Sequence, residues 1–217
     1  MVHGGAGSWR NFRSQIQELS RDFQVFGLDL RGHGNSPWVP GSNIDDFYDD
    51  VEEFALTLPG PLSVVAHSFG GYIATRLTVT HPAHISRLAL LNTAGHIPQG
   101  LSYKLLNLLT PVANLVAHTE GLIAAGTDVC KGLFAGVLQS WNCWDWYPRI
   151  RVPTLVILGK LDPLIPLQLG NQMAQAIEGA RVEIMPGGHV SMVEYSDRVN
   201  GLLREWAQTD IKTLQAS

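Results

Sequence analysis

The chain has 217 residues, of which 45% are hydrophobic and 16% are charged. This length suits one domain built around one core, and the low charged fraction excludes a disordered tail or scaffold. Fifteen basic and nineteen acidic residues give a net charge of −4, so the sequence lacks the basic footprint of proteins that bind nucleic acid or anionic membranes.

Short runs of Val, Ile and Leu alternate along the chain with longer segments of helical periodicity, the pattern of a parallel sheet covered by helices. We therefore predict an α/β fold with a mostly parallel sheet and helices on both faces. A helix is predicted over Ile44–Leu58, where the acidic side chains form a solvated face rather than a metal site. The predicted strands are Gln24–Asp29, Leu62–Ala66, Arg87–Leu91, Thr154–Leu158 and Arg181–Met185.

The strand–helix alternation is interrupted between residues 95 and 147. This segment holds few charges, and Leu101–Ala117 has an apolar helical pattern broken by Pro111. We predict a helical cap over residues 95–147, inserted into a core of residues 1–94 and 148–217; the alternative is a set of ordinary core helices. Several aromatic residues stand at the C-terminal end of this segment, and such residues more often pack in a core than line a pocket. They are Trp141, Trp144, Trp146 and Tyr147.

The strongest chemical signal is a serine in a tight turn between a predicted strand and a predicted helix, Gly71–Thr80. Small residues stand two positions before and after Ser68, at Ala66 and Gly70, as a sharp and strained turn requires. The turn places Ser68 at a helix N-terminus, where the helix dipole and free backbone N–H groups favour negative charge. We predict that Ser68 is a nucleophile.

A serine hydroxyl needs a general base, and the base needs a carboxylate to orient it. Asp162 follows one predicted strand and His189 follows the next. In a parallel sheet these two loops share one edge with Ser68, which makes His189 and Asp162 the candidates for base and acid.

Other residues compete for these two roles. His67 is adjacent to the serine, but neighbouring side chains on a tight turn point apart. Asp29 also ends a strand, and its surroundings indicate a hydrogen-bonded turn. Asn92 ends the middle strand, but an amide cannot supply the charge that stabilises an imidazolium. For the remaining histidines, a structural or surface role is the most common one.

Taken together, these motifs resemble the α/β-hydrolase superfamily over nearly the whole chain, and most closely its cap-bearing esterases. The resemblance implies a Ser68–His189–Asp162 triad, an oxyanion hole formed by the backbone N–H groups of Gly5 and Phe69, and a structural role for His3. The matching motifs are His3-Gly4-Gly5 followed by Trp9, Asp29-x-Arg31-Gly32-x-Gly34-x-Ser36, Ala66-x-Ser68-x-Gly70-Gly71, Asp162 and His189.

The resemblance further implies a serine hydrolase that cleaves carboxylic esters through an acyl-enzyme, with no metal or organic cofactor. The apolar cap predicts a small, largely apolar ester as the partner molecule. Lactone hydrolysis, carbon–carbon bond hydrolysis and perhydrolysis on the same triad are alternatives, as is a non-catalytic ligand-binding relative. The serine at position 68 argues against epoxide hydrolases and haloalkane dehalogenases, whose relatives have an aspartate there.

Strands precede the His-Gly turn in this superfamily, and here only Met1 and Val2 stand before His3. Unpaired backbone groups cost about 1–3 kcal/mol each when they are buried. We therefore expect the strand near Gln24 and the strand ending at Ala66 either to pair directly or to flank a gap.

The sequence also bears on the cellular setting. We expect neither a signal peptide nor a membrane-spanning helix, because no apolar run reaches about eighteen residues. Cys130 and Cys143 form no CxxC pair and no disulfide framework, which predicts free, buried thiols and a cytoplasmic protein. No pattern indicates an oligomeric state.

Overall fold

The computed structural model describes residues 1–97 and 124–209. Within these residues the centre of the fold is a parallel sheet in which each strand pairs with the next along the chain. All the carboxyl ends therefore lie at one edge of the sheet. The strands are β1 (Leu62–His67), β2 (Ile85–Leu91), β3 (Thr154–Gly159) and β4 (Arg181–Met185).

Helices cover both faces of the sheet, which confirms the predicted α/β fold. They are α1 (Arg13–Leu19), α2 (Ile44–Thr57), α3 (Phe69–Thr80), α4 (Thr127–Ala135), α5 (Leu167–Gln175), α6 (Ser191–Glu194) and α7 (Ser196–Gln208). Short 3₁₀ helices span Trp9–Phe12, Val137–Ser140 and Tyr147–Arg149.

Alternate residues of the strands enter two separate apolar layers, because successive side chains of a strand point to opposite faces. Val65, Ala89 and Ile157 pack with α1 and α7. Val64 and Leu88 pack with α2, α3 and α5 on the other face. The strands β1, β2 and β3 are therefore largely buried on both sides, which explains their near-continuous apolar runs, whereas most of β4 is exposed.

The predicted strand Gln24–Asp29 is wrong, because this segment has no regular strand structure. The amino group of Met1 donates to the carbonyl of Phe26 at 2.6 Å, and the Leu28 N–H donates to the Met1 carbonyl at 3.3 Å. On the opposite side, Val2 forms an isolated parallel bridge with Ala66. Among the described residues, the two backbone bonds to Met1 are the only ones of this kind along the segment, and they do not make a ladder.

Residues 24–28 and 61–65 consequently flank a gap, one of the two arrangements that we expected. Met1 and Val2 fill it at one end, and a cavity of about 310 Å³ remains. We call this cavity, between residues 24–28 and 61–65, the slot. Its lining is mostly apolar, because both layers of the core face it.

The predicted cap lies partly outside the described residues, as does the whole of Leu101–Ala117. Its described part begins again at residue 124, where the Ala124 N–H donates to the carbonyl of Ala6 and the Gly34 N–H donates to that of Ala124. The helix α4 then packs on the core through Val129 and Leu133, which are both buried. This part of the chain therefore covers the loops at residues 3–7 and 31–38.

Both cysteines are free thiols, as predicted. Cys143 is buried, whereas Cys130 is only partly so, which corrects the expectation that both are buried. Burial raises the pKa of the Cys143 thiol to about 12, so this thiol stays protonated at neutral pH.

Candidate active site

The turn that carries Ser68 is strained. Ser68 has φ +50° and ψ −120°, a conformation that side chains rarely adopt, and it stands directly before α3. A Cβ atom on Gly70 would lie 2.5 Å from the carbonyl oxygen of Val2 and 2.6 Å from that of His3. The turn is thus pressed against the first residues of the chain, which explains the small residue at position 70.

The structure brings the three predicted catalytic residues together. The His189 Nε2 lies 2.9 Å from the Ser68 Oγ, and the His189 Nδ1 lies 2.8 Å from the Asp162 Oδ2. The three side chains come from the carboxyl ends of β1, β3 and β4. Because ionised Asp162 only accepts, Nδ1 carries the proton and Nε2 is free to take the proton of the serine.

Asp162 is held as an anion. Burial alone would raise its pKa, but the bond from His189, the charge of that ring and the N–H groups of Ile165 and Leu164 outweigh it and lower the pKa. These two N–H groups donate to Oδ1 at 2.9 and 2.8 Å, which leaves Oδ2 for the histidine. The carboxylate is therefore fixed in position and charge where it orients the imidazole.

Asn92 is a member of the site that the sequence interpretation missed. It ends β2 with φ +47° and is completely buried. Its Nδ2 donates to the Asp162 Oδ2 at 3.1 Å and to the carbonyl of Gly188 at 3.0 Å, and its Oδ1 accepts from Ser191. The side chain therefore joins the loop of the carboxylate to the loop of the histidine, a role that needs an amide rather than a charge.

His67 is a second residue whose role was missed. Its ring is buried, and Nε2 lies 2.7 Å from the carbonyl oxygen of His189, to which it donates. The rings of the two histidines are 4.8 Å apart. As predicted, His67 does not contact the serine hydroxyl; instead, it anchors the backbone of His189, whose ring does.

The predicted oxyanion loop is held by two buried histidines. The His3 Nε2 accepts from the Leu30 N–H at 2.9 Å, so Nδ1 carries the proton and donates to the Gly4 carbonyl at 2.7 Å. The His33 Nε2 accepts from the Ala6 N–H at 3.0 Å. His3 is therefore structural, as the resemblance implied.

Two backbone donors are open beside the serine. Among the described residues, neither the Gly5 N–H nor the Phe69 N–H has a hydrogen-bond acceptor. A Cβ atom on Gly4 would lie 2.8 Å from the Cβ of Ser68, so the loop lies directly against this serine. These two N–H groups are the ones predicted to bind an oxyanion.

Asp29 is not part of the triad, in agreement with the sequence interpretation. Its carboxylate accepts from the backbone N–H groups of Trp9 and Asn35, both at 3.1 Å, and its carbonyl accepts from the hydroxyl of Ser36. A Cβ atom on Gly34, where φ is +54°, would lie 2.2 Å from this carboxylate. The motif therefore builds a turn that supports the predicted oxyanion loop through Trp9.

The aromatic cluster serves mainly in packing. Trp146 lies against Tyr72 at 5.3 Å, and Trp144 lies edge-on to Tyr147 at 5.8 Å. Trp141 packs edge-on against Phe69 at 6.1 Å, beside the nucleophile. Trp141 and Trp144 also line a cavity of about 320 Å³, together with His96, Ile97, Leu138, Gln139 and Asn142.

The described residues hold neither a candidate metal site nor a membrane-spanning helix. Residues 1–97 and 124–209 contain no group of three or more His, Cys, Asp or Glu side chains arranged to hold a metal ion. Among the helices of the same residues, none combines the length and the hydropathy that crossing a bilayer requires.

The sequence matches the model of the alpha/beta hydrolase family over residues 1–202. The chain belongs to this family. Among curated relatives it is 28% identical to the 2-hydroxymuconate semialdehyde hydrolase of a Pseudomonas species, over 95% of this chain and 85% of that protein. It is 21% identical to a pimeloyl-acyl-carrier-protein methyl ester esterase of Neisseria meningitidis, over 96% of this chain and 92% of that protein.

Solved structures agree on the fold. The enol-lactonase of Burkholderia xenovorans superposes with a TM-score of 0.81 at 24% identity, covering 96% of this chain and 90% of that one. At this level of identity the likeness shows the fold alone. It places the hydrolase among proteins with a parallel sheet flanked by helices.

The buried histidines predict that the hydrolase loses stability in acid. Burial above all, helped by the positive charge of neighbouring histidines, lowers the pKa of both His3 and His67 from 6.5 to about 3. The unfolded chain therefore binds protons first, and the free energy of unfolding falls as the pH drops from about 6.5 towards 3. Each histidine contributes a slope of up to about 1.4 kcal/mol per pH unit.

Urea denaturation at pH values from about 7 to about 4 measures this slope. His67→Gln keeps a donor for the His189 carbonyl but does not titrate, so its slope should be smaller than that of the wild type by the contribution of one histidine. An unchanged slope in this variant would contradict the attribution of part of the acid-induced loss of stability to His67.

Asn92 provides a second test. In Asn92→Asp the new side chain has the same shape as asparagine, and aspartate also tolerates the positive φ. However, a carboxylate oxygen replaces the Nδ2 donor and now faces the Asp162 Oδ2. Two adjacent carboxylates resist ionising together, which raises the folded pKa of the new group. Stability should therefore fall as the pH rises above about 4, by roughly 1–3 kcal/mol at neutral pH.

The measurement is urea denaturation of Asn92→Asp at about pH 5 and about pH 8. Asn92→Gly is the matched control, because it removes the hydrogen bonds at the same positive φ without adding a titrating group, and its cost should be equal at both pH values. A loss in Asn92→Asp that does not change with pH would show that the amide does not face the carboxylate.

Proposed function

We propose that this hydrolase cleaves carboxylic esters of small, largely apolar substrates through an acyl-enzyme on Ser68. One observation supports the proposal above all: two consecutive hydrogen bonds join the three side chains. The Ser68 Oγ lies 2.9 Å from the His189 Nε2, and the His189 Nδ1 lies 2.8 Å from the Asp162 Oδ2. The nucleophile, base and orienting carboxylate are thus already within hydrogen-bond reach of one another.

In the proposed reaction the Ser68 Oγ attacks the ester carbonyl while the His189 Nε2 takes the serine proton. The tetrahedral intermediate collapses when His189 gives that proton to the leaving alcohol, which leaves an ester of Ser68. Water then attacks this ester with His189 again as base, and the acid product leaves with free Ser68. Throughout, ionised Asp162 stabilises the imidazolium.

The backbone N–H groups of Gly5 and Phe69 are proposed to bind the oxyanion of the intermediate. Both are open donors, and Phe69 begins α3, so the helix dipole adds to the stabilisation of negative charge. Such a donor is typically worth about 2.7–4 kcal/mol of transition-state stabilisation. The His3 and His33 bonds that hold this loop are therefore functional as well as structural.

The cavity lined by Trp141 is proposed to take the apolar part of the ester. Its lining includes Ile97, Leu138 and Trp144, and Trp141 itself lies against Phe69 beside the nucleophile. We propose that residues 95–147 form a cap over this site. The packing of α4 and the bridge between Ala125 and His33 at the same edge of the sheet support the cap.

Carbon–carbon bond hydrolysis is the second candidate. The observation that favours it is the resemblance to 2-hydroxymuconate semialdehyde hydrolase, whose substrate has no ester group. The same triad and oxyanion hole would catalyse carbon–carbon bond hydrolysis, since both this reaction and ester hydrolysis pass through a tetrahedral or enolised oxyanion beside a serine.

The test is the ratio of kcat/KM across a panel of substrates: p-nitrophenyl esters of increasing acyl length, a simple lactone, and a vinylogous 1,5-diketo acid. We expect hydrolysis of the short aryl esters with an optimum along the series. Turnover of the diketo acid that exceeds every ester would overturn the ester assignment in favour of the second candidate. No turnover of any member would favour the non-catalytic alternative.

A further inference from the structure

Among the described residues, the strand β4 pairs on one side only, with β3. The Met185 carbonyl accepts from the Lys160 N–H of the loop after β3, so the backbone groups of every second residue counted back from Met185 point towards β3. The backbone groups of Val182 and Ile184 therefore point to the outer side of β4. An added strand could form hydrogen bonds with them there.

The side chains of Val182 and Ile184 are apolar and exposed. Val182 is 40% exposed and Ile184 is 43% exposed, although both lie inside a strand. They share the face of the sheet that carries α5, where Val182 lines a shallow groove of about 320 Å³ with Asn171, Gln175 and Ala180. Edge strands that avoid other chains commonly place charges or proline at such positions. This edge presents valine and isoleucine instead.

The helix beside this edge is uncharged. Residues 163–177, which include the whole of α5, contain no Asp, Glu, Lys or Arg. The exposed side chains of α5 are the amides Gln168, Gln172 and Gln175. By contrast, α2 has six carboxylates and α7 has four charged residues. The core of a protein–protein interface is typically depleted of charged residues, so α5 and the outer edge of β4 together have the composition of such a core.

We propose that the hydrolase forms a two-fold dimer in which the β4 strands of two copies pair antiparallel about Val182. Val182 would exchange backbone hydrogen bonds with the partner subunit's Val182. The Ile184 N–H would donate to the partner subunit's Ala180 carbonyl, and the two-fold axis repeats this bond. The side chain of Ile184 would then cover the partner's groove beside α5, and the two sheets would become one continuous sheet.

The charges on the other face of β4 favour this register. Arg181 and Glu183 lie on that face, where the Arg181 guanidinium bonds to Glu183 and to Glu205 of α7. Pairing about Val182 sets Arg181 directly opposite the partner subunit's Glu183, on both sides of the axis. Opposite charges at directly opposed positions stabilise a pair of antiparallel strands.

The neighbouring registers are less favourable. Centring the axis on Glu183 would set this carboxylate against the partner subunit's Glu183, and like charges at opposed positions destabilise pairing. Centring the axis on Ile184 would set Val182 opposite the partner subunit's Pro186, which has no N–H to donate. Pairing about Val182 alone satisfies both the backbone and the charges.

Sedimentation velocity of the whole chain at increasing concentration tests the association. We expect the mass of two chains, with a Kd on the order of 1 μM or below, because interfaces of standard size bind in the micromolar to picomolar range. The mass of a single chain at about 100 times this concentration would overturn the proposal.

Charge variants test whether the β4 edge is the interface. Arg181→Glu and Glu183→Arg each set like charges opposite one another, so each alone should weaken dimerisation by about 100-fold or more. An equimolar mixture should restore it as a heterodimer, because each carboxylate of one chain then faces a guanidinium of the other. Arg21→Glu is the matched control and should dimerise like the wild type. It changes the charge equally on the β1 side of the sheet, where Leu19 and Phe23 line the slot.

Cysteine cross-linking locates the axis. Val182→Cys should form a disulfide between copies on mild oxidation, because directly opposed residues have Cα atoms about 5.5 Å apart, a distance that a disulfide spans. Ile184→Cys has nearly the same exposure but would lie about 13 Å from its counterpart, so it should not cross-link. The wild type gives the background from Cys130 and Cys143.

Three results would each overturn the proposal. They are dimers that persist in both charge variants, a mixture of these variants that stays monomeric, and cross-linking of Ile184→Cys in preference to Val182→Cys.

Discussion

Ser68→Ala should lower kcat for aryl ester hydrolysis on the order of 10⁶-fold, because among residues 1–97 and 124–209 no other hydroxyl bonds to the His189 Nε2. The substitution removes the atom that would form the acyl-enzyme, while the proposed oxyanion donors and the proposed pocket stay in place. Substrate binding should therefore survive, and the residual rate should come from positioning alone.

The measurement is kcat and KM on the best ester of the panel, with equilibrium binding of an unreactive ketone analogue. Ser63→Ala is the matched control, since Ser63 lies on the same strand with an exposed side chain, and it should retain full activity. A loss of tenfold or less in Ser68→Ala, with the fold intact by circular dichroism, would remove Ser68 from the chemistry.

Asp162→Asn should lower kcat by about 10⁴-fold, because the amide imposes the wrong histidine tautomer. The N–H groups of Leu164 and Ile165 require an acceptor at Oδ1, so the amide nitrogen must take the place of Oδ2. It would then donate to the His189 Nδ1. The proton would move to Nε2, where it blocks that nitrogen from acting as a base.

Kinetics of Asp162→Asn across pH, measured on the same ester, check this prediction. The variant should regain rate at high pH, where hydroxide removes the serine proton without the histidine. Asp145→Asn is the control, because Asp145 is an acidic residue away from the triad on the chain segment that precedes β3, and it should behave like the wild type. An equal loss in both variants would point to a general effect of charge.

The sequence predicted the parts of the molecule that depend on local pattern. The strands β1 to β4 are predicted to within two residues, because β1 to β3 are short apolar runs that the sheet largely buries and β4 is a short run of alternating charged and apolar residues. Ser68, Asp162 and His189 were found because each directly follows, or comes shortly after, one of these strands. Parallel strands bring such residues to one edge without any long-range information.

The rest depended on partners that local pattern does not contain. The segment 24–29 has strand-like residues, but a strand needs a hydrogen-bonded neighbour along its length, and among the described residues the segment has two such backbone bonds, both to Met1. Asn92 was set aside because it has no charge, although a residue that tolerates φ > 0 at the end of a strand was a usable signal. The bond from His67 to His189 spans 122 residues, and no spacing rule predicts it.

The central claim is that Ser68 is the nucleophile of an acyl-enzyme, and active-site labelling tests it most directly. The protein is incubated with a fluorophosphonate, digested, and mapped by mass spectrometry, with Ser68→Ala and Asp162→Asn in parallel. We predict one label per chain, on Ser68, that is lost in Ser68→Ala and forms much more slowly in Asp162→Asn. A label on another residue, or equal labelling of Ser68→Ala, would contradict the account.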